Sequence, residues 1–429
     1  MAYAAYEYYK PSGITTIGLI PHHWTVRRLK FMARIQNGKD YKEVVSEDGF
    51  PVIGSGGEFA KASAYLYNGE SVLLGRKGTI DRPLYINGPF WTVDTMFYTE
   101  VAADVSAKYL YYCALTINFL KYATSTALPS MTQQDLGAIP FALPKHDEQQ
   151  AIARFLDFKT AQIDALIAKK KALLDKLAEK RTALISHAVT KGLDSSVAMK
   201  DSGVAWLGDI PEHWTVSKLA YLSESLQTGP FGSQLHAEEY IEGGVPLINP
   251  TDISNGEVLE NAKITVGEDV VERLSRHKLE LGDIVIARRG EMGRAGLVRE
   301  RNVGWLCGTG SLRARLNKQA LNPEFLLYQF SMRGVAEYLS LQSVGSTMDN
   351  LNTSILGRLP VIVPPLHEQA ALVLHLRKLS ESIDSQAAKV GEVISSLQEY
   401  RSALITNAVT GKIDVRGFAI PQLAEGVAS

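Results

Sequence analysis

The chain contains its own opening twice. Ser12–Ala33 reads SGITTIGLIPHHWTVRRLKFMA and Ser202–Ser223 reads SGVAWLGDIPEHWTVSKLAYLS, 190 residues later, with ten of 22 positions identical. A second pair lies downstream at an offset of 220. Leu136–Asp194 begins LGAIPFALPKHDEQQA and ends RTALISHAVTKGLD, while Leu356–Asp414 begins LGRLPVIVPPLHEQAA and ends RSALITNAVTGKID. The chain is therefore a tandem duplication, and the offset makes the second middle 30 residues longer than the first. That period is too long for a solenoid repeat of about 20–50 residues and fits pseudo-two-fold symmetry. Matched ends around diverged middles predict one scaffold carrying two different recognition surfaces.

The closing segments predict long helices. No Pro or Gly interrupts His146–Thr190, and about 40 helical residues span roughly 60 Å. A heptad register places Leu376, Ile383, Val390, Leu397 and Leu404 in one row, with Leu379, Gln386, Val393, Tyr400 and Asn407 in the other. The first copy gives Leu156, Ile163, Lys170, Leu177 and Leu184, then Lys159, Leu166, Leu173, Lys180 and His187. The expected seam is apolar with polar breaks that fix register. A helix of this length cannot bury its stripe alone, and its own repeat is the partner favoured here. Packing of each helix on its own domain is the alternative. Pro140–Pro144 and Pro360–Pro365 precede the helices, and Asp147, Glu148 and Glu368 suit their N-termini.

The middles read as mixed α/β globules. Ser71–Leu74 and Asp283–Ala287 are strand-like, and each runs into a basic glycine turn, Gly75-Arg76-Lys77-Gly78 and Arg288-Arg289-Gly290. Leu110–Tyr122 and Pro323–Leu339 read as helices. The predicted division is a first domain over 1–145, a helix over 146–190, a linker over 191–201, a second domain over 202–365, a helix over 366–410 and a tail over 411–429. The fold class is α/β (α+β): two globules joined by two long helices in an intramolecular antiparallel coiled coil.

Catalytic signatures are missing. There is no P-loop, and His367-Glu368 lacks the second histidine of a zinc motif because position 371 is Ala. Asn249-Pro250-Thr251-Asp252 reads as a strand-ending turn. Gly54-Ser55-Gly56-Gly57 reads as a plain loop, with an anion nest as the lesser reading. His23 and His213 read as structural. Cys113 and Cys307 stand alone and form no metal spacing. No apolar run reaches the roughly 18–20 residues of a bilayer span and no signal pattern opens the chain, so a cytoplasmic protein is expected.

Net charge is −1, which weakly opposes a nucleic-acid role. Locally the balance differs. Residues 270–320 hold 11 Lys/Arg against 5 Asp/Glu, and residues 27–145 hold 13 against 11. Lysine and arginine suit phosphates, and bidentate arginine suits guanine. Charge alone leaves a solvated face and a DNA-binding face equally open.

Taken together, the duplicated Gly-x-Ile-Pro-x-His-Trp motif, the Pro-x-x-x-Glu-Gln helix starts at Pro144–Gln149 and Pro364–Gln369, and the Ala-Leu-Ile-x-x-Ala-Val-Thr ends resemble the specificity subunit of type I restriction–modification systems. Gly229–Ser233 and Val344–Thr347 resemble target-domain loops of that family, and the first domain lacks a GPFGS-like loop. The resemblance covers nearly the whole chain. It implies a non-catalytic subunit whose two target recognition domains each read one half of a bipartite double-stranded DNA site. It also implies a helical coil that sets half-site spacing and docks two methyltransferase subunits, with restriction/translocase subunits joining. No cofactor is expected in this chain, and S-adenosylmethionine, ATP and Mg belong to the partners. The expected DNA-binding residues are Lys39, Lys61, Arg76, Lys77 and Arg82 in the first domain. In the second they are Ser233, Asn249, Thr251, Arg288, Arg289 and Arg294. The rival readings are a coiled-coil adaptor without DNA specificity and a nuclease with an unrecognised site.

Overall fold

The computed structural model describes residues 3–122, 129–231, 234–343 and 351–419. The chain divides into two compact units, Met1–Lys171 with Gly391–Ser429, and Ala172–Val390. This differs from the linear division expected from the repeat. Each unit takes a target domain plus a stretch of both long helices, α1 (His146–Lys191) and α2 (Leu366–Val409). Among the described residues no helix is long and apolar enough to cross a membrane.

In the first unit a seven-stranded sheet carries the middle. Its strands are β1 (Ala33–Asn37), β2 (Val45–Ser46), β3 (Phe50–Gly54), β4 (Gly57–Ala62), β5 (Tyr67–Gly75), β6 (Leu84–Thr92) and β7 (Met96–Val101), in the order β1-β7-β5-β6-β3-β4-β2. The centre of the sheet explains the apolar run at 71–74. Val72 and Leu74 enter one core with Trp24, Phe97 and Tyr109, while Leu73 enters a second with Ile53, Phe90 and Met96. A strand buried on both faces needs a continuous apolar run, not an alternating one.

The second unit repeats the plan with insertions. The strands of its two larger sheets are β8 (Ser223–Thr228), β9 (Tyr240–Ile241), β10 (Val245–Ile248), β11 (Ile253–Ser254), β12 (Gly256–Val258), β13 (Thr265–Val266), β14 (Ile284–Ala287), β15 (Ala295–Leu297), β16 (Leu306–Cys307) and β17 (Ser311–Leu316). They form the orders β8-β17-β14-β15-β12-β11 and β9-β13-β10-β16. Ile284 and Ile286 face a core with Trp214 and Phe325, and Val285 faces another with Ile248 and Cys307. The helix expected over 110–122 covers Ala107–Ala114, and that expected over 323–339 is two helices, Pro323–Phe330 and Arg333–Ser343.

The repeated motifs meet in each unit. His23 Nε2 lies 2.8 Å from Glu148 Oε2, and His213 Nε2 lies 2.7 Å from Glu368 Oε1. Trp214 Nε1 also donates to Glu368, at 2.9 Å, whereas in the first unit Tyr6 OH donates to Glu148 at 2.8 Å. The opening motif therefore fastens the start of the following long helix to the domain.

Half of the expected helix seam is displaced. Leu156, Ile163, Leu177, Leu376, Ile383 and Leu404 are buried, and Leu184, Leu379, Val390 and Leu397 are half-buried. Leu166, Leu173 and Val393 are 47%, 40% and 43% exposed. The second packed row lies one residue later, at Thr160, Ile167, Ala188, Ser380 and Ala408, with Arg181 and Arg401 half-buried. That row mixes apolar residues, Leu174 and Ile394 among them, with small hydroxyls and the stems of two arginines, so neighbouring rows of similar polarity compete for the seam and polarity alone does not choose between them. Arg401 holds Asp164 in the first unit at 2.9 and 3.2 Å, and Arg181 holds Asp384 in the second at 2.7 Å.

Candidate nucleic-acid interface

The two middles, unlike in sequence, share one backbone hydrogen-bond pattern at the end that carries the basic glycine turns. In the first unit Gly38 N–H donates to Met96 O (3.0 Å), Val93 N–H to Ile53 O (3.3 Å), Arg76 N–H to Thr95 O (2.8 Å) and Met131 N–H to Arg76 O (2.9 Å). In the second, Gly229 donates to Ser311 (3.0 Å), Gly308 to Ile248 (2.8 Å), Arg288 to Gly310 (3.0 Å) and Leu351 to Arg288 (3.0 Å). Strand β3 runs parallel to β6 through Ile53 and Thr92, as β10 does to β16 through Ile248 and Cys307. Arg76 is thus the equivalent of Arg288, and Lys77 of Arg289. The glycines that close the turns match too, Gly78 at φ 81° and Gly290 at φ 80°, a conformation that glycine adopts freely.

The close approach behind each turn also needs glycine. A Cβ on Gly38 would fall 2.0 Å from Val93 O, and one on Gly229 would fall 1.9 Å from Gly308 O. Neither position was singled out from the sequence as a packing site, since a lone glycine after a strand carries no local signal.

The first unit gathers several expected residues round the 92–95 turn. Arg76 Nη1 donates to Asp94 O at 3.2 Å, and its guanidinium lies 5.9 Å from the Phe97 ring centroid. Lys77 and Arg82 are exposed and have no acidic partner among the described residues. Lys39 is exposed too, with its backbone N–H on Thr92 O at 2.9 Å and its carbonyl taking Trp91 Nε1 at 3.0 Å. Lys61 lies apart on β4 and pairs with Glu58 at 2.6 Å.

In the second unit Arg288 is half-buried and donates from Nε to Leu351 O at 3.0 Å. Burial first, and Arg289 second, hold its guanidinium below the ordinary value. Arg289 is exposed, with no acidic partner among the described residues. Arg294 is committed within the domain, to Glu291 at 2.7 Å and to Pro250 O at 3.2 Å. The segment Asn249–Asp252 is the turn expected after a strand. Its Asn249 N–H donates to Asp252 Oδ2 at 2.9 Å, while Thr251 is exposed. Arg294 and Asn249 share this neighbourhood with Arg288, because a Cβ on Gly308 would fall 2.6 Å from Asn249 Oδ1. Ser233 and the Val344–Thr347 loop lie outside the described residues.

A buried polar row supports the strand beneath this turn. Arg313 Nη1 donates to the carbonyls of Arg276 (3.0 Å) and Lys278 (2.9 Å), and its Nη2 to Gln227 Oε1 (2.9 Å). His277, 2% exposed, is pushed down to about 4 by burial and then by Arg276 and Arg313. Between pH of about 6.5 and about 4 the unfolded chain binds a proton that the folded one refuses. Stability is therefore lost as pH falls through that window, by about 3 kcal/mol in total. The unfolding midpoint of the second unit should show this pH dependence, and His277→Gln should flatten it. Identical slopes in the two proteins would count against the assignment.

Comparison with known proteins identifies the family. The profile of the family described as type I restriction modification DNA specificity domain matches residues 21–176 and 211–394. The MjaVIII specificity subunit of a type I restriction enzyme from Methanocaldococcus jannaschii is 22% identical over 92% of this chain and 94% of its own length. The EcoBI specificity subunit from Escherichia coli is 24% identical over 92% of this chain and 88% of its own. In overall fold, a chain solved in work on complex assembly and conformational transition of the type I R-M system superposes with a TM-score of 0.65 at 16% identity, covering 92% of this chain and 99% of that one. With both halves matched, the chain belongs to the type I restriction–modification specificity family and is a subunit that recognises DNA sequence.

Proposed function

We propose that each target domain reads one half of a bipartite, asymmetric double-stranded DNA site through the turns at Arg76-Lys77-Gly78 and Arg288-Arg289-Gly290. The observation that carries this is their equivalence. One scaffold presents a basic turn at the same place twice, while the residues around it differ. Arg76 and Arg288 are tied to backbone carbonyls and hold the turn. Lys77 and Arg289 are exposed, have no acidic partner among the described residues, and reach the DNA. Lysine offers a point charge to phosphate, whereas arginine can grip guanine in a bidentate manner. Lys39, Arg82, Asn249 and Thr251 line the same ends as supporting contacts.

The long helices act as an antiparallel intramolecular coiled coil that sets half-site separation. The support is the pair Arg401–Asp164 and Arg181–Asp384. These are repeat-equivalent residues with exchanged partners, as a two-fold antiparallel pair requires. The coil docks two methyltransferase subunits, and restriction subunits join them. S-adenosylmethionine, ATP and Mg are bound by those partners, and the chain supplies recognition without catalysis.

Single-molecule methylome sequencing of a host against its deletion strain tests this reading. Loss of one bipartite N6-methyladenine motif is the expected result, and no change in any motif overturns it. Within the assembled complex, Arg289→Ala relaxes or weakens reading of the second half-site only. Lys77→Ala lowers affinity across sequences and reduces the salt slope by about 1. Unchanged affinity, specificity and slope in both variants would sink the turn assignment.

A further inference from the structure

The glycine run at 54–57 has no part in the charge argument, yet it shapes a surface. It forms the tip of the β3–β4 hairpin, with Gly54 opposite Gly57. The Phe59 ring lies over Gly54, where a Cβ would fall 3.2 Å from Phe59 Cε1. Tyr41 meets the same ring edge-on, with centroids 5.2 Å apart and planes at 90°. Edge-to-face contact of this kind fixes a ring as well as covering it. Even so, Phe59 remains 54% exposed.

Its position joins it to the proposed DNA-reading end. Gly54 also faces Val93, whose Cγ2 lies 4.0 Å from where its Cβ would be. The following residues, Asp94 and Thr95, supply the carbonyls that hold Arg76. The ring and the basic turn therefore flank one segment. In the second domain the equivalent strand β10 ends instead in the polar Asn249–Asp252 turn.

We infer that Phe59, braced by Tyr41 and Gly54, reads the first half-site by apolar contact with a base, the thymine C5-methyl in the major groove being its ligand. This rests on the proposed recognition of DNA by this domain. It accounts for a first domain that is only slightly basic. Base discrimination there comes from a fixed apolar edge, and Lys39 and Lys77 supply the phosphate attraction. The thymine methyl is the apolar feature that the major groove offers, and a rigid ring makes the contact at little cost in side-chain entropy.

The test uses the chain assembled with its methyltransferase and a duplex carrying the bipartite site. Each thymine of the first half-site is replaced in turn by deoxyuridine, which removes the methyl alone. At one position wild-type affinity should drop about fourfold, the expected worth of one buried methyl. The same replacement should have no effect in Phe59→Ala and a smaller effect in Phe59→Leu than in the wild type, and the salt slope should stay unchanged because no phosphate contact is lost. The leucine variant keeps the test open where the alanine variant loses its fold. If the wild-type complex binds its site but no deoxyuridine position couples to Phe59, this inference fails and the recognition reading stands. If Phe59→Leu instead abolishes association with the methyltransferase, the ring is a protein contact and the inference is overturned. Absence of any bipartite site for the wild-type complex overturns both.

Discussion

Gly229→Ala should abolish recognition of the second half-site. The added Cβ would fall 1.9 Å from Gly308 O, 2.4 Å from its carbonyl carbon and 2.9 Å from Cys307 O. All three are backbone atoms of a neighbouring segment, so no side chain can rotate away. Overpacking a side-chain contact costs about 1–3 kcal/mol, and a backbone obstacle belongs at or beyond the top of that range. The displacement is also transmitted. Gly308 donates to Ile248 O, and Gly310 O accepts from Arg288 N–H. Moving this segment moves the turn that presents Arg289. If the site is bipartite as proposed, methylation of it should fall more than tenfold. Hydrogen exchange should rise across 306–311 while the first unit keeps its protection. Gly38→Ala should do the same to the first half-site, through Val93. Wild-type methylation and unchanged exchange in Gly229→Ala would falsify the claim that this contact positions the turn.

The equivalence behind that prediction was hidden from the sequence for a definite reason. Gly38 and Gly229 lie 191 residues apart, Ile53 and Ile248 195, Arg76 and Arg288 212, and Met131 and Leu351 220. Insertions move the offset in steps, and the bonds that define the match join backbone amides and carbonyls, to which side-chain identity is irrelevant. The opening and closing motifs were legible because they carry side-chain chemistry. His23 needs Glu148, and Trp24 and Trp214 each fill a core. The first helix was legible from the lack of breakers over 146–190, and the second, which carries Gly391, from its heptad register and its likeness to the first. Their second packed row was not, because it holds Thr160, Ser380, Arg181 and Arg401 beside Ile167 and Ile394, while the row next to it offers Leu166, Leu173 and Val393, and polarity does not decide between them. The basic turns were visible as charge next to glycine. Which cation of each turn lacks an acidic partner among the described residues, and that Arg294 is spent on Glu291 and Pro250, depends on the folded geometry.

The repeated glutamine at the head of each long helix should prove the more sensitive of the Glu-Gln pair. Gln149 Oε1 accepts from Ser106 N–H at 2.8 Å, and its Nε2 donates to Asp104 O at 3.1 Å and Pro144 O at 3.0 Å. Gln369 Oε1 accepts from Asn322 N–H at 2.7 Å, and its Nε2 donates to Ala320 O at 3.0 Å and Pro364 O at 2.7 Å. Both side chains are buried. Ser106 and Asn322 in turn cap the helices Ala107–Ala114 and Pro323–Phe330. One amide therefore ties the helix start, the preceding loop and a domain helix together. Gln369→Leu keeps the approximate volume but loses three hydrogen bonds, and it leaves the Asn322 N–H without this acceptor. At about 1 kcal/mol per bond, with the larger penalty for stranded buried groups, the second unit should lose about 3 kcal/mol or more. Its thermal transition should fall by roughly 10 °C, taking about 2–4 °C per kcal/mol for a unit of this size. Gln149→Leu should do the same in the first unit. The two losses should add, since the residues share no partner. A loss below about 1 kcal/mol in either variant would mean that the helix start is held by the His–Glu contact alone. Glu368→Gln would then be the damaging change, because Glu368 accepts from Trp214 Nε1 and contacts His213.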